Sequence, residues 1–137
     1  MSKRVVAQET AEGIFLDVAG IEGVERGAVE RMGPGRVRMV FDWPERNPFD
    51  TAQSSVEYQW ACSVFVALDD EKDGDEELAA ILEGVAAAFD ASTRLIDGSG
   101  VGWRLMNQGP PFDVGADRAL LRKDFLLVAA VMEVRGA

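Results

Sequence analysis

The sequence predicts an α+β fold in which one antiparallel or mixed β-sheet packs with two α-helices, and three observations carry that expectation. Residues 56–68 alternate with period two, residues 76–91 repeat apolar side chains at steps of three and four, and the chain from Val101 onward returns to period two. At this length a single domain, residues 1–137, is expected.

The first segment, Lys3 to Val18, carries good helix formers with apolar residues at Val6, Ile14, Phe15 and Val18, and predicts a helix that Gly13 weakens. Val24 to Met32 reads as a short edge strand interrupted by Gly27. Arg36 to Trp43 alternates, with Val37, Met39, Phe41 and Trp43 on one face, and Pro44 blocks its extension. Asn47, Pro48 and Asp50 then keep the segment to Ser55 irregular, a loop long enough to suggest a function of its own.

In Val56 to Leu68 the even positions Val56, Tyr58, Trp60, Cys62, Val64, Val66 and Leu68 share one apolar face. This strand is more than twice the usual length, so one end is expected to project beyond the core or pair with a second chain. The acidic turn from Asp69 to Glu77 leads into a helix over Glu76 to Ala91, with Asp75 as its cap and Leu78, Ile81, Leu82, Val85 and Phe89 on its buried face. Ser92 to Gly100 reads as a turn, Val101 to Met106 as a strand, and Gln108 to Phe112 as an interruption caused by two prolines. Leu120 and Leu121 open a short strand. Phe125 to Val134 is apolar on both faces and predicts a central strand covered on both sides.

Composition excludes several classes of function. The chain has 14 Lys plus Arg against 24 Asp plus Glu, a formal charge of −10, which opposes binding along a phosphate backbone or to an anionic membrane. No apolar run approaches the roughly 20 residues that span a bilayer, and the start of the chain shows no secretory signal, so synthesis in the cytoplasm is expected. The absence of histidine removes Ser-His-Asp chemistry and the commonest general base and transition-metal ligand. Cys62, the single cysteine, sits within an alternating apolar run and reads as a small buried hydrophobe.

The remaining motifs have plain readings. Asp69, Glu71, Asp73 and Gly74 resemble the first half of a calcium loop, but a strand precedes them and the twelfth position is Ala80, where a bidentate glutamate belongs. Gly33-Pro-Gly35 and the glycines from Gly98 to Gly102 do not open a helix after a strand, so they read as turns and not as phosphate cradles. The carboxylate pairs Asp113 with Asp117 and Asp42 with Glu45 have no second signal beside them. No catalytic, cofactor or metal residue is therefore assigned, and no enzyme is expected. Trp43, Phe49, Trp103 and Phe112 stand beside prolines or at strand ends, where aromatic side chains serve as contact anchors. Tyr58 and Trp60, near the end of the long strand, complete the interface candidates.

The order of these motifs matters more than any one of them. A short helix, a strand ending in Trp43-Pro44, an irregular loop, the long strand through Tyr58-Gln-Trp-Ala-Cys-Ser-Val-Phe-Val-Ala67, the acidic turn into Leu78 to Phe89, and the closing stretch to Arg135 follow in series. The series resembles the tail terminator and tail completion proteins of tailed bacteriophages, over about Val37 to Arg135. The resemblance implies a virion protein forming a homo-oligomeric ring, hexameric in that family, that ends the tail tube and joins it to the head connector. It implies sheets joined between subunits through the long strand, docking through the loops Pro44 to Ser55 and Gly109 to Arg118, and DNA passing an acidic lumen without specific binding. A small dimeric α+β binding or regulatory protein, with the long strand paired across a two-fold axis, and a carboxylate–metal enzyme are the other readings.

Overall fold

Residues 3–27, 33–41, 45–46, 53–67, 71–92, 101–113 and 120–134 are described by a computed structural model. Their elements follow in the order α1 (Lys3–Leu16), β1 (Gly23–Arg26), β2 (Arg36–Phe41), β3 (Glu45–Arg46), β4 (Gln53–Ala67), α2 (Glu71–Asp90), β5 (Val101–Asn107), β6 (Phe112–Asp113) and β7 (Leu120–Val134). One mixed sheet has the strand order β1-β2-β4-β7-β5, with β3 added to β4 and β6 to β7. The expected class, α+β with two helices on one sheet, is the observed one.

The sheet is built on β4 and β7. They pair antiparallel over all fifteen residues of each, from Gln53 opposite Val134 to Ala67 opposite Leu120. β2 and β3 share the other edge of β4, at residues 60–65 and 56–57, while β5 and β6 share the other edge of β7. The length of β4 is thus absorbed mainly by a strand of the same chain. Its first three residues pair with β7 alone among the described residues, so the β4–β7 ribbon runs beyond β3 and β5 by about 10 Å.

Among the described strands only β1 runs parallel to its neighbour. Parallel pairing normally needs a long crossover, but β1 has four residues, and the nine residues between its end and β2 are enough to return along about 13 Å. Gly27 ends β1 with φ +77° while its N–H donates to Met39 O. Gly35, at φ +73°, starts β2 where a Cβ would come within 3.2 Å of Gly20 O. Arg26 then binds Glu12 on α1 through two short hydrogen bonds of 2.7 and 2.6 Å, which ties the edge strand to the first helix.

Both helices lie on one face of the sheet. That face presents Val37, Met39, Trp60, Cys62, Val64, Val66, Phe125, Leu127 and Val131, all buried. Phe15 of α1 meets Phe89 of α2 and Phe125 of β7 at ring distances of 5.1 and 6.2 Å, so one aromatic cluster fastens both helices to the sheet. Phe89 also meets Trp103 of β5 at 5.1 Å, and Trp60 Nε1 donates to Gln8 Oε1 on α1 at 3.4 Å. Cys62 is 1% exposed, as expected of a small hydrophobe, and burial pushes its thiol far above the usual range.

Several expectations are corrected. α1 stops at Leu16 and not at Val18, where Asp17 and Val18 turn back onto Gly13 to Phe15. Residues 45–46 and 53–55, expected as loop, pair with β4 and β7. α2 begins at Glu71, so much of the acidic turn is helix, and Asp75 lies inside it and not at its cap. Negative charge at a helix N-terminus opposes the backbone dipole favourably, which lets this acidic stretch wind instead of staying a turn. β7 is continuous through Arg122, Lys123 and Asp124, because each of these polar side chains finds a partner. Phe112 and Asp113 resume pairing directly after the prolines. Residues 28–32 of the expected edge strand, Trp43, Phe49, and the glycines at 98 and 100 lie outside the described residues, as do Asp42, Asp69 and Asp117.

Candidate interaction surface

β7 is central, but among the described residues no helix covers its second face, contrary to the expectation of cover on both sides. Two helices suffice for one face only. The open face is organised in cross-strand rows fixed by the register. Arg36, Phe65, Arg122 and Phe112 form one row, Arg38, Ser63 and Asp124 the next, then Val40, Ala61, Leu126 and Met106, and then Gln59, Val128 and Arg104.

In the first two rows, arginine replaces a covering helix. Phe65 is 4% exposed although no helix among the described residues lies over it, and the guanidiniums of Arg38 and Arg122 stand 6.0 and 5.8 Å from its ring centre. Arg122 also faces the ring of Phe112 at 5.3 Å. Asp124 accepts from Arg122 Nε at 2.6 Å, from Arg122 Nη2 at 3.2 Å and from Ser63 Oγ at 2.7 Å. Partial burial is the largest single influence on this carboxyl and raises its pKa. The hydrogen bonds from Arg122 and Ser63, with the charges of Arg122 and Arg38, together outweigh it and hold the group below its usual value. Arg38 has no ion pair among the described residues, and its Nε is buried without a hydrogen-bond partner.

At the other end Arg104 of β5 reaches Glu57 of β4 at 3.3 Å. The pair crosses β7 between Val128 and Ala130 and helps to bury Val128 fully on a face that carries no helix among the described residues. Between the two polar zones the row Val40, Ala61, Leu126, Met106 is left uncovered. Ala61 is exposed, Met106 is 46% exposed, and Val40 and Leu126 are half-buried. An apolar strip inside a polar rim is the usual anatomy of a protein–protein contact.

β5 forms one edge of the sheet and carries no further strand among the described residues. Beside it an open groove of about 500 Å³ runs against α2, lined by Phe89, Asp90, Trp103, Leu105 and Met106 among others. A second opening of about 220 Å³ continues it past Leu82, Val85, Asn107 and Phe125. There Lys123, on the covered face, donates to Asn107 Oδ1 and Gly109 O. Trp103 lines the groove half-buried, its Nε1 buried without a hydrogen-bond partner among the described residues.

The interface candidates therefore divide. Phe112 is 44% exposed on the open face and Trp103 lines the groove at its edge. Tyr58 and Trp60 are 8% and 0% exposed, inside the core under the helices and not on the surface expected of contact anchors. Their strand parity places them with Cys62 and Val64, on the face that the helices need. The long strand has β2, β3 and β7 along most of its two edges, its first three residues project with β7, and the outer strands of the sheet among the described residues are β1 and β5. The open-face residues Ala61, Phe65 and Leu126 escaped sequence reasoning, although their alternation opposite the core face was the available signal. Among the described residues no helix is long and apolar enough to cross a membrane, and no group of three or more Cys, Asp or Glu could hold a metal ion. No protein-family model matches the chain, and no curated protein matches it in sequence.

Proposed function

We propose that the chain is a structural virion protein that forms a ring, closes the end of a phage tail tube and carries the head connector. The observation that carries this reading is the open sheet face, whose exposed apolar row framed by arginines suits a surface covered by another protein. The motif order that resembles tail terminators supports it independently. The ring reading also uses the acidity. Six copies would carry about −60, six times the charge of −10, and repulsion would keep passing DNA from adhering to the lumen. The partners are then a second copy of the chain, the tail tube protein and the connector above it. The site of action is the head-proximal end of the tail, after assembly in the host cytoplasm.

Light scattering on the purified chain, followed by electron microscopy after mixing with assembled tail tubes, tests the reading. A mass near 89 kDa, six times 14.9 kDa, and tubes ending in a ring are expected. A chain that stays at 14.9 kDa at high concentration and leaves tube ends bare contradicts it. A stable mass of two copies without tube binding favours the dimeric binding protein.

A further inference from the structure

From the backbone left unpaired on β5 we infer that this edge of the sheet takes an extended segment of a partner protein as an added strand, with apolar side chains in the groove beneath α2 and a lysine or arginine beside Asp90. The surface lies apart from the open face, and the inference does not rest on the ring reading.

The register fixes what the edge offers. Gln108 N–H donates to the carbonyl of Asp124 directly opposite, so the residues of β5 that exchange hydrogen bonds with β7 have the same parity, Gly102, Arg104 and Met106. The N–H and C=O groups of Val101, Trp103, Leu105 and Asn107 therefore point away from β7, where no strand of the described residues receives them. Sheet edges are normally guarded by shortness, charge or proline. The opposite edge, β1, has four residues, and its Glu25 and Arg26 are held by Arg36 and Glu12. β5 has seven residues and no proline, and its one charge, Arg104, is drawn across β7 to Glu57.

The groove fits a strand on that edge. Its larger part lies against Trp103 and Leu105 and its smaller part against Leu105 and Asn107, so side chains at alternate positions of an added strand enter one after the other. Its helical wall includes Leu82, Ala86, Phe89 and Asp90. Asp90 shares one side of α2 with Glu76 and Glu83, which precede it at seven-residue steps, and none of the three has an ion pair among the described residues. Two cations line the groove. Arg104 is engaged by Glu57, and Lys123 donates to Asn107 Oδ1 and Gly109 O at the other end. A basic side chain on the added strand is thus matched at the Trp103 end, beside Asp90, and opposed at the Lys123 end, so charge sets the polarity of the segment while the backbone supplies the pairing. A second copy fits poorly. Its β5 would bring two α2 rims together with no cation between Glu76 and Ala91 on either, and its β1 is short and charged.

The test uses the full chain and a short, capped synthetic peptide of alternating valine and threonine with a lysine at one end. Binding is expected to slow amide hydrogen exchange at Trp103, Leu105 and Asn107 and to leave Arg104 and Met106, already bonded to β7, little changed. Glutamate in place of the peptide lysine, or Asp90→Lys in the protein, is expected to weaken binding about fivefold by calorimetry, and the two changes together to restore it. Methylating alternate peptide nitrogens removes the pairing donors while keeping the side chains, and is expected to abolish the slowed exchange. Denaturation midpoints are measured on the same samples, and Asp90→Asn replaces a variant that loses its fold. A peptide that slows no exchange at Trp103, Leu105 and Asn107, or equal binding of the lysine and glutamate peptides, overturns the assignment. Slowed exchange at these residues in the protein alone, growing with its concentration, gives the edge to a second copy and overturns it too.

Discussion

The two faces of the sheet solve the same problem by different means. On the covered face Trp60, Val64, Leu127 and Val131 are fully buried beneath α1 and α2, and the aromatic contacts of Phe15 lock the layers together. On the open face Phe65 and Val128 are also buried, but beneath arginines, of which Arg122 and Arg104 are held by Asp124 and Glu57. The first kind of burial excludes water by packing and is complete within one chain. The second is a partial lid, and it stops at Ala61, Leu126 and Met106, where another molecule can continue it.

The sharpest way to probe this contrast is to truncate each face in turn. Trp60→Ala is expected to lose about 3–5 kcal/mol of stability, since a large side chain with no exposure leaves a cavity under both helices. Urea denaturation measures it. Phe65→Ala, by the same method, is expected to cost about 2–3 kcal/mol, because its cover is two arginine side chains and not a helix.

Asp124→Asn separates the faces by pH. The loss is expected at about 1–2 kcal/mol near neutrality, where the carboxylate binds Arg122 and Ser63. The folded pKa of Asp124 lies below its unfolded value, so its contribution is present above about pH 4 and lost as pH falls through the folded value. Wild type and Asp124→Asn should therefore converge in acid. A constant difference down to low pH would show that the contact acts by shape alone.

The sequence made the helix at residues 76–91 and the strand at 56–68 legible, because both repeats follow directly from backbone geometry. It did not make β7 legible as one strand. Arg122 and Asp124 are solvated in any local reading, and Ser63, which donates to Asp124, is about sixty residues away in the chain. The start of α2 was hidden for a related reason, since Glu71 to Asp75 have the composition of a turn and are helical by continuation of the segment after them. The double apolar pattern of Phe125 to Val134 predicts cover on both sides, whereas among the described residues helices cover one side only. What the pattern alone could not assign was the source of the second cover, because two helices span one face. Among the aromatic candidates, Trp60 was misplaced although its parity with Cys62 already put it in the core, whereas the exposure of Phe112 followed from the prolines before it.

The smallest expected change in stability belongs to the most informative substitution. Ala61→Glu introduces charge into the exposed apolar row and should alter the denaturation free energy by less than about 0.5 kcal/mol, since the site is open in the single chain. Sedimentation velocity of this variant beside the wild type tests directly whether the open face is the surface through which subunits join. The account predicts a wild-type ring and an Ala61→Glu monomer with an unchanged circular dichroism spectrum. An Ala61→Glu protein that sediments as the same ring as the wild type would contradict it.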